Sequence, residues 1–152
     1  SCPSDLEIVM ERVFDAPANR IFKACTDPNL IPQWWGPKRY TTMIDKDDPR
    51  PGGKWRYISR DSQGNEYGFR GEYQEVTPPT RIVRTFEFEG MPGHISVETS
   101  TLDEQNGKTR LRVTSLFTTK QDRDSMLSSG IEEGASESWD RLAELLTSQR
   151  IA

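Results

Sequence analysis

The sequence is poor in the residues that build metal sites and disulfide frameworks. It contains two cysteines, Cys2 and Cys25, and one histidine, His94. Two thiols and one imidazole do not make a zinc site of the usual cysteine and histidine composition. A predicted strand separates the two cysteines, so we expect them to stay unbonded, as in a reduced cytoplasmic protein. No serine or cysteine forms a recognisable nucleophile pair with His94, and we predict no catalytic residue, no metal and no cofactor.

Long apolar runs and basic runs are also missing. No apolar stretch approaches the roughly 20 residues that a membrane-spanning helix needs. The 20 Lys and Arg residues are scattered among 24 Asp and Glu residues, which gives a formal net charge of −4. Because phosphate contacts need a basic patch, we expect no nucleic-acid binding. The missing apolar run likewise leads us to expect no membrane span.

One cluster of acidic residues has the carboxylates that a metal-binding site would need. Asp45, Asp47 and Asp48 lie close together, beside a stretch that is rich in Pro and Gly. Their spacing is not that of a calcium-binding loop. We therefore interpret them as part of a solvated turn.

What the chain does have is a long succession of segments with the period-two alternation of strands. The first covers about residues 5–14, and six more follow after residue 40, divided by turns rich in Gly, Pro and Asn. Between them, Pro17 begins one short helix, and Trp34-Trp35-Gly36-Pro37 ends a second. Because strands outnumber helices and do not alternate with them, we predict an α+β fold with an antiparallel sheet.

The last strong pattern is one long amphipathic helix over residues 130–146. Its apolar residues recur at spacings of three and four, and most of its charged residues take the other face. Gly130, Gly134 and Ser138 leave the apolar stripe thin at its N-terminal end, whereas large side chains fill the other end. A helix that fills one end of a curved sheet and leaves room at the other makes a pocket, with its opening at the thin end. The stripe consists of Ile131, Ala135, Ser138, Trp139, Leu142, Leu145 and Leu146.

The inward positions of several strands are aromatic, which admits two interpretations. A plain core uses Leu, Ile and Val more readily, because a buried tyrosine must pair its hydroxyl. A cavity lined by aromatic rings and a few hydroxyls suits a planar, moderately apolar ligand, and both interpretations stay open. We assign Trp34 to core packing, whereas Trp35 points another way and can reach the mouth of the cavity. The candidate ligand-binding residues are Trp35, Trp55, Tyr57, Phe69, Tyr73, Phe86, Phe88, Gly134, Ser138 and Trp139.

Arg84 is the one strand arginine whose position in the alternation is ambiguous. It shares parity with Ile82, Phe86 and Phe88. If that parity faces inward, Arg84 is a buried cation that needs an anionic partner. A β-bulge would turn it outward, and we favour this second arrangement.

Several short motifs resemble, in order and spacing, those of a known family. They are Phe14-Asp15-Ala16-Pro17, Thr26-Asp27-Pro28, Trp34-Trp35-Gly36-Pro37, Gly52-Gly53-Lys54-Trp55-Arg56-Tyr57, Gly71-Glu72-Tyr73-Gln74-Glu75-Val76 and the terminal helix from Gly130 to Leu146. Together they resemble small single-domain members of the family related to the activator of the ninety-kilodalton heat-shock protein ATPase. That family lies within the START-like, birch-pollen-allergen-like (SRPBCC) superfamily.

The resemblance implies the helix-grip fold, a curved antiparallel sheet of six to seven strands around the long C-terminal helix. It implies one START-like domain over residues 5–148, and we expect residues 1–4 and 149–152 to be frayed. The implied function is binding of a small hydrophobic or aromatic molecule between sheet and helix. Two alternatives stay open: an aromatase/cyclase-like enzyme that uses the same cavity, and a co-chaperone-like module with a chaperone-type protein partner. We favour a binding protein over an enzyme, as monomer or homodimer.

Overall fold

The computed structural model describes residues 2–151, with the side chains of residues 2–148. The described chain forms seven strands: β1 (Glu7–Phe14), β2 (Thr41–Asp47), β3 (Lys54–Arg60), β4 (Glu66–Thr77), β5 (Arg81–Phe88), β6 (Ile95–Gln105) and β7 (Lys108–Leu116). Its helices are α1 (Ala18–Thr26), α2 (Lys120–Ser128) and α3 (Ile131–Ile151), and a 3₁₀ turn covers Ile31–Gln33. Of the termini predicted to fray, residues 1 and 152 and the side chains of residues 149–151 lie outside the described residues.

All seven strands belong to one antiparallel sheet, in the order β1-β7-β6-β5-β4-β3-β2. Strands β2 to β6 each pair with the next strand in the chain, and β1 lies at the edge of the sheet beside β7. The connection from β1 to β2 contains α1 and the 3₁₀ turn, and it runs from one edge of the sheet to the other. The predicted α+β helix-grip fold is confirmed, with seven strands.

The core lies between α1, α3 and one face of the sheet, which we call the inner face. On α3, Trp139, Leu142 and Leu146 of the predicted stripe are buried, whereas Ile131 and Leu145 are half-buried. Trp34 is buried as well, and its Nε1 donates a hydrogen bond to the carbonyl oxygen of Ala24 at 2.9 Å. The assignment of Trp34 to core packing is therefore confirmed.

Two helical details differ from the sequence prediction. The second short helix after β1 is only the 3₁₀ turn, and α2 was not predicted. The segment of α2 carries mostly polar residues, so it has little apolar periodicity to detect. Thr119 caps its first turn by accepting a hydrogen bond from the backbone N–H of Asp122. Gly130, at φ +83°, lies between the two helices, so α3 begins at Ile131.

Candidate functional site

A contiguous set of aromatic side chains covers the inner face of β3, β4 and β5, and we call it the aromatic group. It comprises Trp35, Trp55, Tyr57, Phe69, Phe86 and Phe88. Strand register explains it, because Tyr57 pairs with Phe69 and Phe69 pairs with Phe88 across neighbouring strands. The rings of Phe69 and Phe88 are stacked, with centroids 5.2 Å apart and an angle of 29° between the ring planes.

Trp35 reaches the aromatic group from outside the sheet. It follows the 3₁₀ turn, and its ring centroid lies 5.1 Å from those of both Tyr57 and Phe69, edge-on to each. Edge-to-face contacts at this distance are favourable for aromatic rings. The Trp35 ring therefore lies against the strand aromatics, and its place at the mouth of a ligand cavity stays a prediction.

Burial divides the aromatic group into a floor and an open side. The side chains of Trp55 and Tyr57 are only 1% exposed and form the floor. Trp35, Phe69, Phe86 and Phe88 are only half-buried and form the open side. Large apolar side chains that stay half-buried on an inner face are available to an additional apolar molecule.

Arg84 faces the inner side of the sheet, so the outward arrangement favoured from the sequence is wrong. Pairing of β5 with β6 runs without interruption, and the bulge occurs instead in β4, between Tyr73 and Glu75. The period-two alternation of β5 is therefore preserved at Arg84. Its guanidinium carbon lies 4.0 Å from the centroid of the Trp55 ring.

Two hydrogen bonds hold the Arg84 guanidinium in place. Nε donates to Oε1 of Glu98 at 3.1 Å, and Nη1 donates to the hydroxyl oxygen of Tyr57 at 3.0 Å. Burial by itself lowers the pKa of Arg84, but the interactions with Tyr57 and Glu98 outweigh burial and raise it above its ordinary value. Arg84 is therefore a permanent cation inside an aromatic setting, compensated by one carboxylate.

A second polar contact lies beside the floor, and the sequence interpretation missed it. Asp47 is the last residue of β2 and is half-buried, so it does not belong to a solvated turn. The hydroxyl of Tyr73 donates to its Oδ1 at 2.6 Å, while Oδ2 is buried without a hydrogen-bond partner among the described residues. Burial raises the pKa of Asp47 above its usual range, although the hydrogen bond from Tyr73 lowers it.

The remaining predicted residues, Gly134, Ser138 and Trp139, lie along α3. Their contacts are with residues outside the aromatic group. Trp139 packs edge-on against Phe14, with ring centroids 6.2 Å apart. The Ser138 hydroxyl accepts a hydrogen bond from the backbone N–H of Gly36, one residue after Trp35. A methyl group added at Gly134 would meet nothing within 4 Å. Thus Ser138 is hydrogen-bonded next to Trp35, and Trp139 belongs to the packed half of the core. The place of Gly134 at the opening of the site stays a prediction.

Cysteine and metal chemistry find no support in the described residues. Cys2 and Cys25 are both free, as predicted. Burial raises the pKa of the Cys25 thiol to about 12, so it is a poor nucleophile at neutral pH. The described residues contain no group of His, Cys, Asp and Glu arranged to hold a metal ion.

Two open depressions occur on the helical surface, away from the aromatic group. One is formed by α2 residues, and the other by Ala143, Glu144, Thr147 and Ser148 of α3. Each is lined by residues of a single helix, without an aromatic ring, so neither matches the predicted ligand site. In the described part of the chain, no helix is long and apolar enough to cross a membrane.

The architecture is shared with solved bacterial structures. A protein from Rhodobacter sphaeroides is 22% identical, with a TM-score of 0.90 and coverage of 97% of both chains. Protein Ms6760 from Mycobacterium smegmatis is 26% identical, with a TM-score of 0.85 and coverage of 93% of this chain and 91% of that chain. CalU16 from Micromonospora echinospora is 25% identical, with a TM-score of 0.65 and coverage of 95% and 78%.

Sequence comparison identifies the family. The family model described as "Activator of Hsp90 ATPase homolog 1-like protein" matches residues 15–147. The chain belongs to this family, as the motifs around the first helices and the terminal helix indicated. A comparison with curated proteins gives no match.

Proposed function

We propose that the protein binds a small hydrophobic or aromatic molecule at the open side of the aromatic group. The bound molecule would lie on Trp35, Phe69, Phe86 and Phe88, beneath the N-terminal half of α3. The observation that carries the proposal is the half-burial of these four contiguous rings on the inner face of the sheet. An apolar ligand would complete their burial and stabilise the complex by the hydrophobic effect.

The packing of α3 supports room for such a molecule. Ser138 of α3 accepts a hydrogen bond from the backbone N–H of Gly36, next to Trp35, and Gly134 has open space where a side chain would be. In and beside the floor lie the Arg84 guanidinium, stacked on Trp55, and the hydroxyls of Tyr57 and Tyr73, all held by hydrogen bonds. Mostly apolar walls with few, fixed polar groups are typical of small-molecule sites.

The test uses 2-naphthol as a probe in isothermal titration calorimetry with the purified protein. For a molecule of this size we expect a dissociation constant on the order of 10–100 µM. Phe88→Ala removes a half-buried ring from the open side, and we expect the dissociation constant to rise about threefold to tenfold.

Val13→Ala is the matched control, because Val13 is an apolar strand residue that is 53% exposed. It should leave the affinity for 2-naphthol unchanged. The proposal would be contradicted if both variants lost the same affinity for 2-naphthol, or if the unmodified protein gave no heat of binding.

The other functions expected from the resemblance stay predictions. A cyclase-like enzyme is favoured by one observation, the half-buried Asp47 with its raised pKa and its hydrogen bond from Tyr73, since proton transfer needs a carboxyl group of this kind. A chaperone-type partner and a cytoplasmic location, in contrast, follow from the family and the sequence alone.

A further inference from the structure

We infer that the Arg84–Glu98 ion pair selects the ligand by charge, admitting an uncharged group that both donates and accepts hydrogen bonds and rejecting carboxylates. A phenolic or alcoholic hydroxyl is the simplest such group. The inference rests on the proposed ligand site at the aromatic group and names the chemical class of its ligand.

The charge balance of the pair is the first reason. The guanidinium of Arg84 and the carboxylate of Glu98 are in direct contact at 3.1 Å, so the cation is already paired with an anion before a ligand arrives. A carboxylate ligand approaching Arg84 would also approach Glu98, and two carboxylates in a partly buried site repel each other strongly. An isolated arginine would favour an anion, but this pair does not.

The directions of the hydrogen bonds are the second reason. Arg84 only donates and an ionised Glu98 only accepts. A hydroxyl can accept from the first and donate to the second, whereas an ether or ketone can do only the former. Both partners retain access to solvent, with side-chain exposures of 15% for Arg84 and 22% for Glu98. The Tyr57 hydroxyl, in contrast, is on a side chain that is almost completely buried.

The surroundings of Glu98 are the third reason. Its cross-strand neighbours are Arg84 on β5 and Ser115 on β7. The residues two positions away on its own strand, Ser96 and Ser100, point to the same face. Large side chains therefore do not crowd the carboxylate from three of its four sides on the sheet. Hydroxyl groups there are compatible with a ligand that is polar but uncharged.

The experiment compares the binding of three probes of equal ring size to the purified protein at neutral pH. They are 2-naphthol, 2-methoxynaphthalene, which cannot donate, and 2-naphthoate, which is an anion. We expect 2-naphthol to bind about tenfold more tightly than 2-naphthoate and several-fold more tightly than 2-methoxynaphthalene. Isothermal titration calorimetry measures all three affinities.

Glu98→Gln supplies the second arm, because it leaves Arg84 as an uncompensated cation. We expect the affinity of this variant for 2-naphthoate to increase about tenfold, so that the preference for 2-naphthol disappears. Glu66→Gln is the matched control. It makes the same change in the Arg60–Glu66 pair, whose side chains are 50% and 46% exposed, and it should preserve the preference. If Glu98→Gln does not fold, the affinities of the unmodified protein for the three probes still test whether the site selects its ligand by charge.

The outcomes separate this inference from the proposed function. Binding of the three probes with equal affinity, or a preference for 2-naphthoate, would overturn charge selection and leave the ligand site in place. An unchanged preference in a folded Glu98→Gln variant would also overturn it. Absence of binding for every probe would overturn both the inference and the proposed function.

Discussion

At the scale of single residues, the unusual feature is that two half-buried charged residues, Arg84 and Asp47, lie in or beside an aromatic core and are held by few partners. The guanidinium of Arg84 donates hydrogen bonds to Glu98 and Tyr57 and stacks on the ring of Trp55. Asp47 has only the hydrogen bond from Tyr73 on one oxygen, and its other oxygen is buried without a partner among the described residues. A buried, incompletely bonded carboxylate costs stability, and proteins keep such groups mainly where they have a function.

The pH dependence of stability tests the state of Asp47. Its pKa in the folded protein is raised above the ordinary value of 3.8, so the protonated form is the one that folding favours. The stability that Asp47 contributes is therefore present below its ordinary pKa and is lost as the pH rises through the raised value. We expect the unmodified protein to lose stability relative to Asp47→Asn over this range, measured as the free energy of unfolding in urea.

Met43→Ala is the control, because Met43 is an exposed residue of the same strand and has no titratable group. Its stability should change with pH in parallel with that of the unmodified protein. If the curve for Asp47→Asn is also parallel, the carboxyl group of Asp47 is ionised with the same ease in the folded and unfolded chains, and the prediction is wrong.

At the scale of elements, α3 has two halves with different packing. The part from Trp139 onward buries Trp139, Leu142 and Leu146 against the sheet and α1. The N-terminal half of α3 carries Gly134, which has no atom within 4 Å of an added methyl group. Close approach of the backbone to a strand therefore does not explain this glycine, and we interpret it as keeping space free at the opening of the proposed site.

Replacement of Gly134 by leucine tests this interpretation. Glycine inside a helix costs about 1 kcal/mol relative to alanine, so Gly134→Leu should preserve or raise the free energy of unfolding. The larger side chain should occupy the space bordering the open side and weaken binding of 2-naphthol about tenfold or more. Thermal unfolding and calorimetry measure the two effects separately.

Gly134→Ala is the matched control, since it gives the same helix propensity gain with little added volume. It should stabilise the protein and bind 2-naphthol nearly as well as the unmodified chain. A loss of stability in Gly134→Leu of about 1–3 kcal/mol would indicate a clash and would remove Gly134 from the opening of the site.

At the scale of the whole molecule, the architecture was predictable and the polar groups of the site were not. Period-two alternation and turn residues indicate strands locally, so the seven strands and the terminal helix can be identified from the sequence. The inward position of Arg84 depends on Glu98, which is 14 residues away and lies opposite only when β5 pairs with β6. The burial of Asp47 likewise depends on Tyr73, 26 residues away. Such partners are set by tertiary pairing, which local patterns do not contain.

The distribution of stability over the whole molecule should follow the same division of α3. Amides of residues 134–138 lie above few large buried side chains, whereas those of residues 141–146 belong to the turns that bury Leu142 and Leu146. Local opening is easiest where few apolar contacts are lost, so native-state hydrogen exchange should be on the order of tenfold faster in the first set. Saturating 2-naphthol should slow exchange in the first set and leave the second nearly unchanged. Uniform protection along α3, or protection by the probe confined to residues 141–146, would place the ligand elsewhere and contradict the site at the open side of the aromatic group.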